Sequence, residues 1–353
     1  MRSMRLLCIV LAVMIVLAAC GSGGGNTTGT TSNANSPVII AWLPNESGAE
    51  LNDARDAIGK AVSEALGRPV EHRTTTDYLI AVEALANNTA HLGFFGAEAY
   101  VQAHAKNANV IPLVIPSGSD GRVETAVYYS WLAVARGQEG AYQKDGAFSI
   151  DNIQGKRFSF VSSSSTSGFR VPAAGIVRYF SQQDQWKNLS TDDLIEGGVN
   201  KFFGEVLFGG SHQGSAVNLL SGKADVASFC DVCVGNYVEL VEGQENRPGA
   251  VYRVLANASE PFDKFPGAEF VIISSTPVLN APFVANRSML SDDEIKRLQD
   301  VLTSDAIANN PRIFATKAEI DAGFRPLLRK TDKERFLVVD DSFFNPIREL
   351  AAR

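Results

Sequence analysis

From residue 37 onward, short apolar runs alternate with stretches whose apolar positions recur every three or four residues, a pattern of strands alternating with helices. Val38–Leu43 reads as a buried strand ending at Pro44, and Leu51, Ala54, Ile58, Val62 and Leu66 form one face of a helix that Gly67 and Pro69 stop. A strand near Val70, a helix from about Asp77, a strand at Leu92–Phe95, a helix over Ala97–Lys106 and a strand over Val110–Ile115 continue the series. Successive βα units of this kind build one mainly parallel sheet. Tyr128–Ala135 is a longer apolar strand that leaves this group. A second series follows: strand Arg157–Val161, helix Phe169–Ser181, strand Glu205–Phe208, helix Gln213–Ser221 and strand Ala224–Phe229. Phe270–Ile273 reads as the returning connection, with Ser291–Asn309 and Asp332–Phe336 as closing helical elements.

The expected fold class is therefore α/β with two lobes, residues 37–130 with 276–353 and residues 131–275. Each lobe is a mixed, mostly parallel sheet flanked by helices, and two hinge crossings join them. Two such lobes leave a cleft at the carboxyl ends of their strands, which is where ligands bind in open α/β sheets.

Residues 1–36 break the pattern. Met1–Arg5 carries two arginines and no acid, and Leu6–Ala19 is an uncharged apolar run of 14 residues. That is a signal-peptide core (residues 1–19), too short to span a bilayer comfortably. Leu17-Ala18-Ala19-Cys20 followed by Gly21 resembles a bacterial lipobox, in which the Cys20 thiol accepts a diacylglycerol; the other reading is an ordinary cleaved leader. Gly21–Ser36 holds no large apolar residue and cannot bury enough surface to fold, so 20–36 reads as a lipidated cysteine and a flexible tether. The mature chain is expected outside the cytoplasm, held to the membrane by lipid on its periplasmic side or at the cell surface.

The whole chain of 353 residues, 45% hydrophobic and 20% charged, fits a globular protein and excludes collagenous, coiled-coil and polytopic membrane classes. Removing Arg2 and Arg5 with the leader leaves 30 basic against 39 acidic residues, a net charge of −9. Without a basic stripe to neutralise phosphates, nucleic acid is not an expected partner. A small anion is still admissible, because its recognition is local. Four cysteines reduce to two once Cys8 leaves and Cys20 is acylated. Cys230 and Cys233, in Cys-Asp-Val-Cys, read as an inert or disulfide-bonded pair, with a redox or metal role as the alternative.

Two segments carry chemistry. Phe160-Val161-Ser162-Ser163-Ser164-Ser165-Thr166-Ser167-Gly168 runs from a buried strand into a helix whose early Pro172 suits a first turn. Hydroxyl donors there sit beside unpaired amides at the positive end of a helix dipole, which suits an oxyanion; the other reading is a serine-rich N-cap. Leu207-Phe208-Gly209-Gly210-Ser211-His212-Gln213-Gly214 repeats the strand, turn and helix-start arrangement. Its glycines admit close approach of a ligand, Ser211 can cap, and His212 projects from the helix start. The helix end favours neutral imidazole and a bound anion favours imidazolium, so the protonation state of His212 stays open.

Ser165-Thr166-Ser167-Gly168 followed by Val171-Pro172, then Gly210-Ser211-His212 and the Gly222-Lys223-Ala224-Asp225-Val226-Ala227 strand, resembles the phosphate/phosphite/phosphonate-binding proteins of ABC importers. The resemblance runs from about Val38 to Asp305 and implies a type 2 periplasmic-binding-protein fold and capture of an oxyanion in the interlobe cleft. It implies that Ser165, Thr166, Ser167 and His212 hold the oxyanion, with Tyr78 and Tyr100 closing from the first lobe. Members that take an aminoalkyl phosphonate add carboxylates after the histidine helix, where this chain offers Asp231. The implied partners are a small anion and the transmembrane subunits of an ABC permease, with the chain acting as a monomer and needing neither cofactor nor metal.

Other readings follow from the same residues. An enzyme is not expected: Gly209 precedes Ser211 as a nucleophile elbow requires, but Gln213 stands where the second glycine belongs, and no HExxH or Walker loop occurs. An adhesin or signalling partner is a further class. Within transport, a sulfonate, an amino acid or a vitamin precursor is the alternative cargo, and Arg170 is the residue that would meet an amino acid's carboxylate.

Overall fold

The computed structural model describes residues 36–351, so the leader called at 1–19, the lipidation call at Cys20 and all of the linker but Ser36 lie outside the described residues. The first half supplies β1 (Val38–Trp42), α1 (Asn52–Leu66), β2 (Val70–Thr74), α2 (Tyr78–Ala86), β3 (Leu92–Phe94), α3 (Ala97–Lys106), β4 (Val110–Pro116) and β5 (Val127–Ala135). Then come β6 (Arg157–Phe160), α4 (Val171–Phe180), β7 (Glu205–Phe208), α5 (His212–Leu220), β8 (Val226–Cys230), β9 (Val238–Glu242) and β10 (Val251–Val254). The chain closes through β11 (Glu269–Leu279), β12 (Phe283–Asn286), α6 (Asp292–Leu302) and β13 (Phe336–Val338).

Local chemistry sets the ends of these elements. Gly67 stops α1 at φ +65°, a left-handed conformation that costs glycine nothing. Asp77 caps α2 by accepting from Leu79 N–H, and Ser291 with Glu294 makes a reciprocal capping box on α6.

The strands form two mixed sheets. The first has six in the order β13-β4-β12-β3-β1-β2, and the second seven in the order β9-β10-β11-β5-β8-β6-β7. β1 pairs in parallel with β2 and β3, and β6 in parallel with β7 and β8, as βα crossovers require. Trp42, Ile58, Phe94 and Leu298 fill one face of the first sheet, while Ala41, Val82, Leu85 and Phe95 fill the other. Phe158, Phe160 and Phe203 on one side and Trp131, Phe229 and Phe270 on the other do the same for the second.

The chain passes between the sheets on β5 and returns on β11, and these two strands pair antiparallel from Val127 opposite Leu279 to Ala135 opposite Phe270. Pro277 lies inside β11, opposite Tyr129. It is tolerated because β10 pairs only with Glu269, Phe270 and Val271, leaving the outer side of β11 without a strand at that point. Among the described residues no helix is long and apolar enough to cross a membrane.

Four expectations are corrected. The sheets are mixed but not mostly parallel: β12 pairs antiparallel with β3 and β4 and β13 with β4 in the first, and β9, β10, β11, β5 and β8 pair antiparallel in succession in the second. Asp332–Phe336 is not helical: the Glu334 carboxylate gathers Thr331 and Asp332 N–H into a turn, and Phe336 begins β13, its ring wedged against Phe283 and Phe314. Ser291–Asn309 is two helices rather than one, because Ser304 caps a separate turn at Asp305–Ala308. The returning connection at Phe270–Ile273 is only part of an eleven-residue strand.

Candidate functional site

The second sheet presents two strand-to-helix loops side by side. Gly209 and Gly210 N–H donate to the carbonyls of Phe160 and Val161, so the loop before α5 is stitched to the end of β6 where the serine loop begins. Gly209 has no room for a side chain, since a Cβ there would lie 2.2 Å from Ser215 N. Ser130 Oγ donates to Ser167 O at 2.6 Å and Ser228 Oγ to Gly168 O at 2.8 Å, clamping the serine loop onto β5 and β8.

Within that loop each hydroxyl has its own role. Ser165 Oγ accepts from Gly168 N–H at 3.1 Å, and Thr166 Oγ1 accepts from Glu98 N–H at 2.8 Å at the start of α3. Protein amides therefore occupy oxygen lone pairs and leave the O–H protons to point elsewhere. Ser167 Oγ is buried with no hydrogen-bond partner. Ser165, Thr166, Ser167 and His212 all line one cavity of about 420 Å³ between the two sheets, together with Tyr78 and Asp231.

His212 is 3% exposed, and its two ring nitrogens are distinguished by their neighbours. Nδ1 accepts from Cys230 N–H at 2.9 Å, so the proton of the neutral ring sits on Nε2, 3.3 Å from Ser165 Oγ. Burial drives its pKa down from 6.5 to about 3, which keeps it neutral. The ring of the protein without ligand is therefore neutral, with its proton on Nε2.

Asn45, which follows β1, joins the two sides. Its Nδ2 donates to Tyr78 Oη at 2.6 Å, its Oδ1 accepts from His212 N–H at 3.0 Å, and its carbonyl accepts from Gln213 Nε2 at 3.3 Å. The Tyr78 phenol is thus an acceptor toward Asn45 and keeps its own proton, since burial and then the Glu46 carboxylate push its pKa well above the usual range. Glu46 also lines the cavity; its Oε2 is buried without a hydrogen-bond partner, and burial lifts its pKa to about 8 against the opposing pull of its own amide, Arg55 and Asn45.

Asp231 also lines the cavity, and its Oδ1 accepts from Tyr129 N–H at 2.8 Å. Burial raises its pKa to about 6 although the amides of Tyr129 and Val232 oppose the shift. Cys230 and Cys233 flank it and are joined in a disulfide. The nearest set of metal-donor types, His212, Cys230 and Cys233, falls within 4.8 Å, but the sulfurs are bonded to each other and Nδ1 of the histidine to Cys230 N–H.

Two sequence expectations are not brought to the cavity. Tyr100 is buried in the first-sheet layer, where its hydroxyl donates to Asp341 and its ring packs on His104 and Phe344. On α3 its direction is fixed by the face that packs against the C-terminal segment, away from the cleft. Arg170 is committed to Glu98 in an ion pair of 2.7 Å with both side chains largely buried, so it does not offer a guanidinium to an amino-acid carboxylate.

Sequence reasoning missed Asn45, Glu46 and Tyr128, all of which line the cavity. The signal for the first two was available, because they follow β1 at its carboxyl end, where ligands bind. Tyr128 lies near the start of β5, and nothing in its local pattern separates a cavity-lining tyrosine from a packed one.

The sequence matches the family described as "ABC transporter, phosphonate, periplasmic substrate-binding protein" over residues 40–341. A curated relative, the Phosphate-import protein PhnD of Mycolicibacterium smegmatis, is 28% identical over 252 residues, covering 69% of this chain and 70% of that protein. Among solved structures, PhnD1 of Prochlorococcus marinus in complex with methylphosphonate is similar at a TM-score of 0.60 and 17% identity, covering 89% of this chain and 97% of that one. A binding protein component of an ABC phosphonate transporter of Pseudomonas aeruginosa gives a TM-score of 0.61 at 18% identity, over 90% and 86% of the two chains. At these identities the structural likenesses speak for the fold, the two-lobed architecture of periplasmic binding proteins.

Proposed function

Because the chain belongs to the family of periplasmic substrate-binding proteins of phosphonate ABC transporters, we propose that its cleft captures a tetrahedral phosphorus oxyanion and passes it to the transmembrane subunits of an importer. The cargo is a phosphonate, phosphite or phosphate. The observation that supports this reading is the meeting of Ser165, Thr166, Ser167 and the Nε2–H of His212 in one cavity, beside the first turn before α4. With lone pairs of Ser165, Thr166 and Tyr78 already engaged by protein N–H groups, these hydroxyls face a ligand as donors. A surface of donors selects an anion without arginine or lysine. Four or five hydrogen bonds to a charged group, at about 1.5–3 kcal/mol each, cover the roughly 8 kcal/mol of a micromolar complex after ordering costs.

Asp231 completes the reading as the group that meets a cationic tail, if the cargo carries one. Residues 37–130 with 276–353 and residues 131–275 act as the two lobes, closing on the ligand because it contacts both. The mature chain works as a monomer held by lipid on Cys20 at the outer side of the membrane. A thermal-shift series with phosphate, phosphite, methylphosphonate, aminoethylphosphonate, sulfonates and amino acids tests the cargo, since a ligand held a hundredfold above its Kd stabilises by about 2.7 kcal/mol. A shift with phosphorus oxyanions alone is expected; a shift with sulfonates or amino acids alone would overturn the reading. Loss of affinity in Ser165→Ala and Thr166→Ala, with folding retained, tests the assignment of the serine loop.

A further inference from the structure

Arg170 is not among the residues that line the cavity, yet it is tied to the loop that does. It stands four positions beyond Thr166, and its N–H donates to Ser165 O at 2.9 Å. Three hydrogen bonds join this loop to α3: Glu98 N–H donates to Thr166 Oγ1 at 2.8 Å, Arg170 Nη2 to Glu98 Oε1 at 2.7 Å, and Ser164 Oγ to Gln102 Oε1 at 2.7 Å. Gln102, one turn after Glu98, also donates to Glu98 Oε1 at 2.9 Å and steadies the carboxylate. The two elements are in close contact, since a Cβ at Gly96 would lie 2.9 Å from Thr166 Oγ1. Glu98 belongs to residues 37–130 and Arg170 to residues 131–275, so the contacts run between the two lobes assigned above. Among the described residues no other ion pair does so.

The side chains of Glu98 and Arg170 are 3% and 17% exposed. Burying two charges removes hydration that a single hydrogen bond between them replaces only in part, and here Glu98 Oε2 and Arg170 Nε are buried without a partner. With the lobes apart, both groups return to water. The pair therefore leaves closure close to balance, and a ligand that contacts both lobes tips it. One charge without the other behaves differently: it is hydrated when the lobes are open and uncompensated when they are shut, so the penalty falls on the closed state alone.

We propose that Glu98 and Arg170 are positioning residues of this binding protein. Their ion pair assembles as the lobes shut and seats α3 on the serine loop, where Glu98 N–H takes a lone pair of Thr166 Oγ1 and leaves that hydroxyl's proton for the ligand. Affinity then depends on two charges that do not touch the cargo. This inference rests on the cargo, site and lobes assigned above.

The test is calorimetric titration and stopped-flow binding of the full chain with methylphosphonate. Glu98→Gln keeps the shape of the side chain and an oxygen for Arg170 but removes the negative charge. It is expected to raise Kd about 30-fold or more through faster dissociation, with the association rate and the number of binding sites unchanged, because the open form that meets the ligand has the pair apart. Replacing both charges, Glu98→Leu with Arg170→Met, leaves no buried charge without a partner and is expected to bring Kd back to within about fivefold of the wild type. Binding by Glu98→Gln within about threefold of the wild type overturns the inference. So does a loss of binding sites at an unchanged dissociation rate, which a merely structural role would give, or a double variant that binds no more tightly than Glu98→Gln. Each of these leaves the cargo assignment intact. Failure of the wild type to bind any phosphorus oxyanion overturns the cargo assignment, and this inference with it.

Discussion

Replacing His212 separates the two jobs of its ring. Nδ1 accepts from Cys230 N–H at 2.9 Å, and Nε2–H faces Ser165 and the cavity. In His212→Asn the amide oxygen takes the place of Nδ1 and keeps the Cys230 contact, while the donor toward the ligand is gone. Losing one hydrogen bond to a charged group removes about 1.5–3 kcal/mol, so Kd for methylphosphonate should rise about 10- to 150-fold. His212→Gln reaches the Nε2 position instead. It should bind more tightly than the asparagine variant but unfold more easily, because a buried Cys230 N–H without a partner costs about 1–3 kcal/mol. Calorimetric titration gives the affinities and urea denaturation the stabilities. Binding by His212→Asn within threefold of the wild type would refute the assignment of Nε2–H as a ligand donor. The ring also has a stability signature. Its folded pKa of about 3 lies below the ordinary 6.5, so its contribution is fully present above pH 6.5 and fades as pH falls toward 3. At pH 5 this one residue should cost about 2 kcal/mol, and His212→Asn should remove that part of the acid dependence.

The remaining expectations concern neighbouring groups. Tyr100→Phe should leave ligand affinity unchanged within twofold while lowering stability by about 1–2 kcal/mol, since it loses only the bond to Asp341; a tenfold loss of affinity in titration would return Tyr100 to the site. Glu46 has the opposite pH sign to His212: its pKa is raised, so its contribution is present below pH 4.5 and is lost as pH rises through about 8. Glu46→Gln without ligand should therefore be the more stable protein at neutral pH, by about 1–2 kcal/mol after allowance for partial exposure, as read by urea denaturation. Reducing Cys230–Cys233, or replacing both by serine, opens a very short loop and should cost about 2 kcal/mol in thermal or urea unfolding. Arg170→Ala should cost about 3–5 kcal/mol, because it strands the buried Glu98 carboxylate.

Most of the α/β alternation was legible because it depends on local periodicity. The helix faces of α1 and α4 and the apolar runs of β1, β4 and β5 carry their signal within a dozen residues. Elements whose identity depends on a distant partner were harder to read. Asp332–Phe336 has the composition of a helix end, and only the rings of Phe283 and Phe314 make Phe336 a strand residue. The short β9 and β10 gain their places from pairing with each other and with β11.

The same division holds at the site. Which chemistry is present can be read along the chain: a hydroxyl-rich turn before one helix, a glycine turn with a histidine before another, and a pair of cysteines three positions apart. These are properties of contiguous residues, and backbone rules place them at helix starts. Which side chains meet depends instead on the packing of distant elements. The tertiary structure turned Tyr100 toward Asp341 and Arg170 toward Glu98, because packing between elements fixes a side chain's direction. The fold fixed the tautomer of His212 through an amide eighteen residues away, and it brought Asn45, from the turn after the first strand, onto His212 more than a hundred residues later. A chain can specify its donors locally, but what they surround is set by how the two sheets come together.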